Sequence, residues 1–218
     1  ILGDSKTQKT ENLFRSFGRF VEGLGGRYIT AEDVGTSIKD MEHVRMETNY
    51  VTGISQALGG SGDPSPVTAY GVFVGIKASV KERLNRTELD GLKVSVQGLG
   101  HVGMYLCEYL HKEGAELFVT DIDQSLMGQA VDNFGVTPVD PDEIYEIDVD
   151  VYAPCALGAT VNPDTIDKLK CTIIAGSANN QLIENNFGVE LKKRNILYAP
   201  DYAINAGGLI NVSNELEG

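Results

Sequence analysis

Apolar positions early in the chain recur at helical spacing. Leu13, Phe14, Phe17, Phe20, Val21 and Leu24 predict a helix over residues 10–24, with Gly25–Gly26 ending it. Arg27–Thr30 reads as a short strand. The loop Ala31–Thr36 ends in a candidate N-cap, and Ile38, Met41 and Val44 mark a second amphipathic helix. Residues 52–66, TGISQALGGSGDPSP, are too rich in glycine, serine and proline for long regular structure and read as a domain boundary or a hinge. Ser65 and Pro66 then suit the start of a helix running to about Leu84.

From Lys93 the rhythm changes. Strands are predicted at Lys93–Gln97, Leu117–Val119, Val149–Tyr152, Cys171–Ala175 and Ile196–Tyr198. They alternate with helices at His101–Lys112, Ser125–Phe134 and Asn185–Arg194. Short apolar strands separated by helices predict an α/β fold, a parallel sheet covered on both faces. Gly98–Leu99–Gly100–His101–Val102–Gly103 sits between the first of these strands and its helix. That is the context a dinucleotide-binding glycine turn requires: Gly98 for the tight turn, Gly100 for close approach of a diphosphate, Gly103 for helix–strand packing. Free N–H groups and the positive dipole end of the helix would face the phosphates. Asp121 closes the next strand, where a carboxylate can accept hydrogen bonds from both ribose hydroxyls and repel a 2′-phosphate. The expectation is therefore a Rossmann-type doubly wound sheet holding NAD rather than NADP. The bland alternative is a glycine turn followed by a solvated aspartate.

Composition narrows the partners. The 218-residue chain carries a formal net charge of −13, which opposes binding to nucleic acid or to anionic membranes. No signal peptide or membrane-spanning stretch is legible. Three scattered cysteines, Cys107, Cys155 and Cys171, read as reduced thiols and a cytoplasmic setting. His43, His101 and His111 have no partner at metal-ligand spacing, so no metal site is expected.

Five segments together resemble the glutamate/leucine/phenylalanine/valine group of amino-acid dehydrogenases. They are Gly26–Thr36 (GRYITAEDVGT), Pro64–Gly71 (PSPVTAYG), Tyr152–Ala159 (YAPCALGA), Ala178–Leu182 (ANNQL) and Ala199–Gly208 (APDYAINAGG). The resemblance implies reversible, NAD-dependent oxidative deamination of a branched-chain L-amino acid, leucine first, to a 2-oxo acid and ammonia. Phenylalanine or valine as substrate, or a non-catalytic NAD-binding module, are the alternatives.

The same resemblance assigns site residues. Asp33 would shuttle protons together with a lysine. Thr68, Asn179 and Asn205 would lie at the nicotinamide end of the cofactor. Gly98, Gly100, His101, Val102, Gly103, Asp121 and Ala156 would hold the rest of it. Asn180 would contact the substrate amino group, and Leu209 and Val212 would line its side-chain pocket. Residues 1–52 would be the last part of a second α/β substrate domain, and 53–218 the cofactor domain. The family's two lysines would lie upstream of Ile1, since Lys6 and Lys9 do not match them. The chain is thus expected to be a fragment, inactive alone, of a homo-oligomeric enzyme.

Overall fold

The computed structural model describes residues 3–5, 7–33 and 35–217, without the side chains of 216 and 217. Ile1, Lys6 and Val34, named above, lie outside the described residues. The chain divides into two compact units, residues 1–64 with 208–218, and residues 65–207.

In the first unit, α1 (Glu11–Glu22) and α2 (Ile38–Arg45) are capped by Thr10 and Ser37, whose hydroxyls accept from the N–H groups of Leu13 and Asp40. Their apolar faces bury Phe14, Met41 and Val44 against Val51 and Ile54. The strand expected at Arg27–Thr30 reduces to one bridge, Thr30 to Val51. Gly25 and Gly26 both have positive φ, and Tyr28 and Ile29 remain exposed, so no ladder extends from that bridge. The cap of α2 is Ser37 rather than Thr36, because the Thr36 hydroxyl is engaged with Asp33.

The second unit is a six-stranded, wholly parallel sheet. Its strands are β1 (Lys93–Gln97), β2 (Glu116–Thr120), β3 (Thr137–Pro138), β4 (Val151–Pro154), β5 (Ile173–Ile174) and β6 (Leu197–Tyr198). The order β3-β2-β1-β4-β5-β6 winds outward from β1 in one direction, then returns to its other side at β4. The switch point between β1 and β4 is where such sheets bind ligands, at the carboxyl ends of the strands.

Alternation along the strands builds the two cores. Val94, Val96, Leu117, Val119, Val151, Ala153 and Ile173 pack with residues of α3 (Ser65–Leu84), α4 (His101–Lys112) and α5 (Gln124–Phe134), among them Ile76, Leu106 and Ala130. Their neighbours Tyr152 and Ile174 pack with Val161, Ile166 and Leu191, the last from α6 (Phe187–Lys193). Each fully buried aliphatic side chain here contributes about 1.5–3 kcal/mol. The pair β3 and the short α7 (Asp201–Ile204) escape sequence reading, being too brief to show a period. The chain ends in α8 (Gly207–Glu217).

Candidate functional site

At the carboxyl end of β1 the chain turns through Gly98, whose φ is +98°. A Cβ there would lie 2.7 Å from the Ala156 nitrogen, so the turn after β1 and the chain after β4 touch at a place only glycine fits. The Gly98 N–H donates to the Thr120 carbonyl at 2.8 Å. Gly103, buried in the first turn of α4, approaches more closely still. A Cβ on it would fall 2.0 Å from the Gly98 carbonyl oxygen. Gly100, the N-cap of α4, has an ordinary φ of −60°, offers no side-chain cap, and has nothing within 4 Å of the place a Cβ would take. The three glycines therefore divide their work: two permit close backbone contact, and one leaves the helix entrance open to an anion. His101 is exposed beside that entrance and Val102 is half-buried.

Asp121 follows β2 and is tied to this turn. Its Oδ2 accepts from the Leu99 N–H at 2.6 Å, and its Oδ1 accepts from the Asp123 N–H at 2.8 Å. The carboxylate is aimed, and an ionised carboxylate so held keeps further lone pairs for hydroxyl donors. An open N-cap, uncapped helix amides and an oriented carboxylate one strand away fit a dinucleotide. Sequence reading anticipated the carboxylate but not its grip on the turn itself.

A second cluster lies on the loop between β5 and β6. Asn179 and Asn180 are exposed, and Asn180 adopts φ +52°. The Asn205 amide, at the end of α7, donates to Asn179 Oδ1 at 2.6 Å and to the Ser177 carbonyl at 3.1 Å. The Asn180 carbonyl accepts from the Ala159 N–H at 2.6 Å, and Gly158 lies so close that a Cβ would be 2.3 Å from the Asn179 carbonyl. A cleft of about 420 Å³ opens beside them, lined by Asn179, Asn180, Asn185, Tyr198, Asp201 and Tyr202 among others. Gln181, to which sequence reading gave no role, is fully buried beneath this loop. Thr68 is half-buried in the first turn of α3, and a Cβ on Gly207 would come within 3.2 Å of its Cα.

In the first unit, Asp33 is exposed on a turn latched by Thr36. The Asp33 N–H donates to Thr36 Oγ1 at 2.8 Å, and the Thr36 hydroxyl returns a bond to the Asp33 carbonyl at 2.6 Å. On α8, Leu209 is exposed and Val212 half-buried. The structure thus brings together Gly98, Gly100, Gly103, Asp121 and Ala156, and joins Asn179 to Asn205. Burial raises the thiol pKa values of Cys107, Cys155 and Cys171, the last to about 12, so none is poised as a nucleophile.

The family model described as Glutamate/Leucine/Phenylalanine/Valine dehydrogenase matches residues 59–127 and 119–217. The chain is 56% identical over its whole length to a leucine dehydrogenase of Bacillus subtilis, of which it covers 60%. It is 48% identical to a phenylalanine dehydrogenase of Bacillus thermotolerans, aligned over all of this chain and 58% of that one. Among solved structures it resembles the L-tryptophan dehydrogenase of Nostoc punctiforme, with a TM-score of 0.80 and 47% identity over 100% of this chain and 62% of that one. The fold also matches a glutamate dehydrogenase of Thermus thermophilus, with a TM-score of 0.76 at 23% identity over 96% of this chain and 56% of that one. The chain spans about three fifths of the length of the curated relatives it matches.

Proposed function

The chain belongs to the glutamate/leucine/phenylalanine/valine dehydrogenase family, and from that premise we propose that the protein containing it performs NAD-dependent oxidative deamination of a branched-chain L-amino acid. L-Leucine is the first substrate in this reading and the 2-oxo acid and ammonia are the products. The observation that carries the proposal is the glycine turn opening α4 with its Leu99 amide held on Asp121 at 2.6 Å. A carboxylate at that point favours an unphosphorylated ribose, hence NAD over NADP. Gly98, Gly100, His101, Val102 and Gly103 form the cradle, with Ala156 against it.

In the same proposal Thr68, Asn179 and Asn205 hold the nicotinamide end. Bound there, the nicotinamide would supply an acceptor for the hydride of the substrate Cα. Asn180 orients the amino group, Leu209 and Val212 receive the side chain, and the Asp33 carboxylate takes and returns protons. Residues 1–52 are assigned to the substrate domain and 53–218 to the cofactor domain; 53–64 and 208–218 share a compact unit with the former. A cytoplasmic homo-oligomer completes the reading. Among the described residues no helix is long and apolar enough to cross a membrane.

The test uses the full-length protein. Initial rates are measured with NAD and NADP against L-leucine, L-valine, L-phenylalanine and L-tryptophan. Asp33→Asn is expected to lower kcat by roughly 10²–10⁴-fold while leaving NAD affinity unchanged. Turnover preferring NADP, or an Asp33→Asn variant of full activity, would refute the assignments.

A further inference from the structure

The loop carrying Asn179 and Asn180 is short, exposed at its tip, and held by two side chains, Asn205 at the end of α7 and Gln181 beneath the loop. Gln181 is wholly buried. Its Nε2 donates to the Gly176 carbonyl at 2.8 Å and to the Ala178 carbonyl at 3.0 Å. Its own N–H donates to Asp201 Oδ2 at 3.3 Å, and its carbonyl accepts from the Val161 N–H at 2.9 Å. Its Oε1 is buried with no partner among the described residues. The opposite amide orientation would set that oxygen against two carbonyl oxygens, so the donor fork decides the orientation. A side chain placed only to fill space would be apolar there and would strand no acceptor.

We infer that Gln181 is a positioning residue: its amide closes the loop 176–181 so that the exposed Asn179 and Asn180 side chains project at fixed angles. The inference rests on the reading of those asparagines as nicotinamide and amino-group contacts. Three anchors bound the loop. The Ala178 N–H donates to the Pro154 carbonyl at 2.9 Å, the Ala159 N–H donates to the Asn180 carbonyl at 2.6 Å, and the Asn205 amide donates to Asn179 Oδ1 at 2.6 Å. Gln181 is the side chain that joins the loop's first carbonyl to its last residues. Losing it frees Asn180 to leave its left-handed conformation, φ +52°, which costs an L-residue unless its surroundings impose it. Displacement of about 1 Å at a substrate-orienting group suffices for a roughly 10²-fold loss of rate.

The experiment uses the full-length protein with Gln181→Glu, which keeps the shape and loses both donors, and Gln181→Met, which keeps the volume. AMP serves as a probe for the adenosine half of the cofactor site, by calorimetry. NAD affinity and steady-state kinetics report the other half. The expected result is AMP affinity within about twofold of the unsubstituted protein, with KM for the amino acid raised and kcat/KM lowered by roughly 10–100-fold. AMP binding and catalysis both at the unsubstituted level would overturn the positioning role. So would loss of AMP binding or folding in both variants, because Gln181 would then serve the whole unit. Failure of the unsubstituted protein to bind AMP would instead overturn the cofactor reading beneath it.

Discussion

Gly100→Ala and Gly103→Ala lie three residues apart in one turn, and the geometry predicts opposite failures. At Gly103 a Cβ would meet the Gly98 carbonyl oxygen at 2.0 Å and the Cys155 Cβ at 3.5 Å. The oxygen is backbone and has no rotamer in which to retreat. The start of α4 must move off β1 by roughly 1–1.5 Å to restore ordinary contact, an overpacking cost of about 1–3 kcal/mol. In a chain of this size that is a fall in Tm of roughly 2–12 °C. At Gly100 the backbone suits any residue, with φ −60°, and no atom lies within 4 Å of the new methyl. Alanine is a poorer N-cap than glycine by several tenths of a kcal/mol, but it restricts the unfolded chain by about as much, so stability changes by less than about 0.5 kcal/mol. The methyl would instead occupy the open space the proposal gives to a diphosphate, weakening NAD by about 2–3 kcal/mol, or roughly 30–150-fold in Kd. Thermal unfolding and NAD titration of both variants in the full-length protein separate the two effects. An unchanged Tm for Gly103→Ala, or unsubstituted NAD affinity for Gly100→Ala, would refute the division of labour among these glycines.

Asp121→Ser with Ile122→Arg, at a position 92% exposed, is expected to move preference toward NADP, read by titrating both cofactors; unchanged selectivity would contradict the ribose assignment. Asp121→Ala strands the N–H of buried Leu99 and should cost about 1–3 kcal/mol in chemical denaturation. Glu215 on α8 accepts at one oxygen from the N–H groups of Gly53 and Ser61, each at 3.0 Å, and from the Ser61 hydroxyl at 2.8 Å. Glu215→Ala should therefore hasten limited proteolysis within residues 53–61, and an unaltered cleavage rate would show the latch to be idle. Burial holds the Cys171 thiol neutral up to about pH 12, whereas the unfolded thiol ionises near ~8.5. The unfolded chain then binds fewer protons, so stability falls as pH rises above ~8.5, and Cys171→Val should flatten that decline in urea titrations between pH 7.5 and 10.5.

Much of the sheet was legible because strand and helix periods alternate cleanly from Lys93 onward. Val94 and Val96 announce a buried strand, and the glycines after Gln97 announce the turn. The shortest elements were not legible: two residues of β3 carry no period, and Arg27–Thr30 has strand composition but only Thr30 finds a partner. Gln181 was invisible as a functional candidate because a glutamine within a polar loop gives no sign that it faces inward.

Residue order and chemistry alone determined the αβ alternation, the place of the glycine turn and the carboxylate one strand onward, since these depend on local periodicity and on what glycine and aspartate can do. Tertiary structure alone decided that β4 returns beside β1, that Ala156 presses on Gly98, that Asp121 holds the Leu99 amide, and that one buried amide closes the asparagine loop. The first three are contacts between residues some 20 to 60 positions apart, and the fourth, though it spans five positions or fewer, depends on Gln181 facing inward. They exist only once burial of two apolar faces has driven the strands into register, and no local pattern records them.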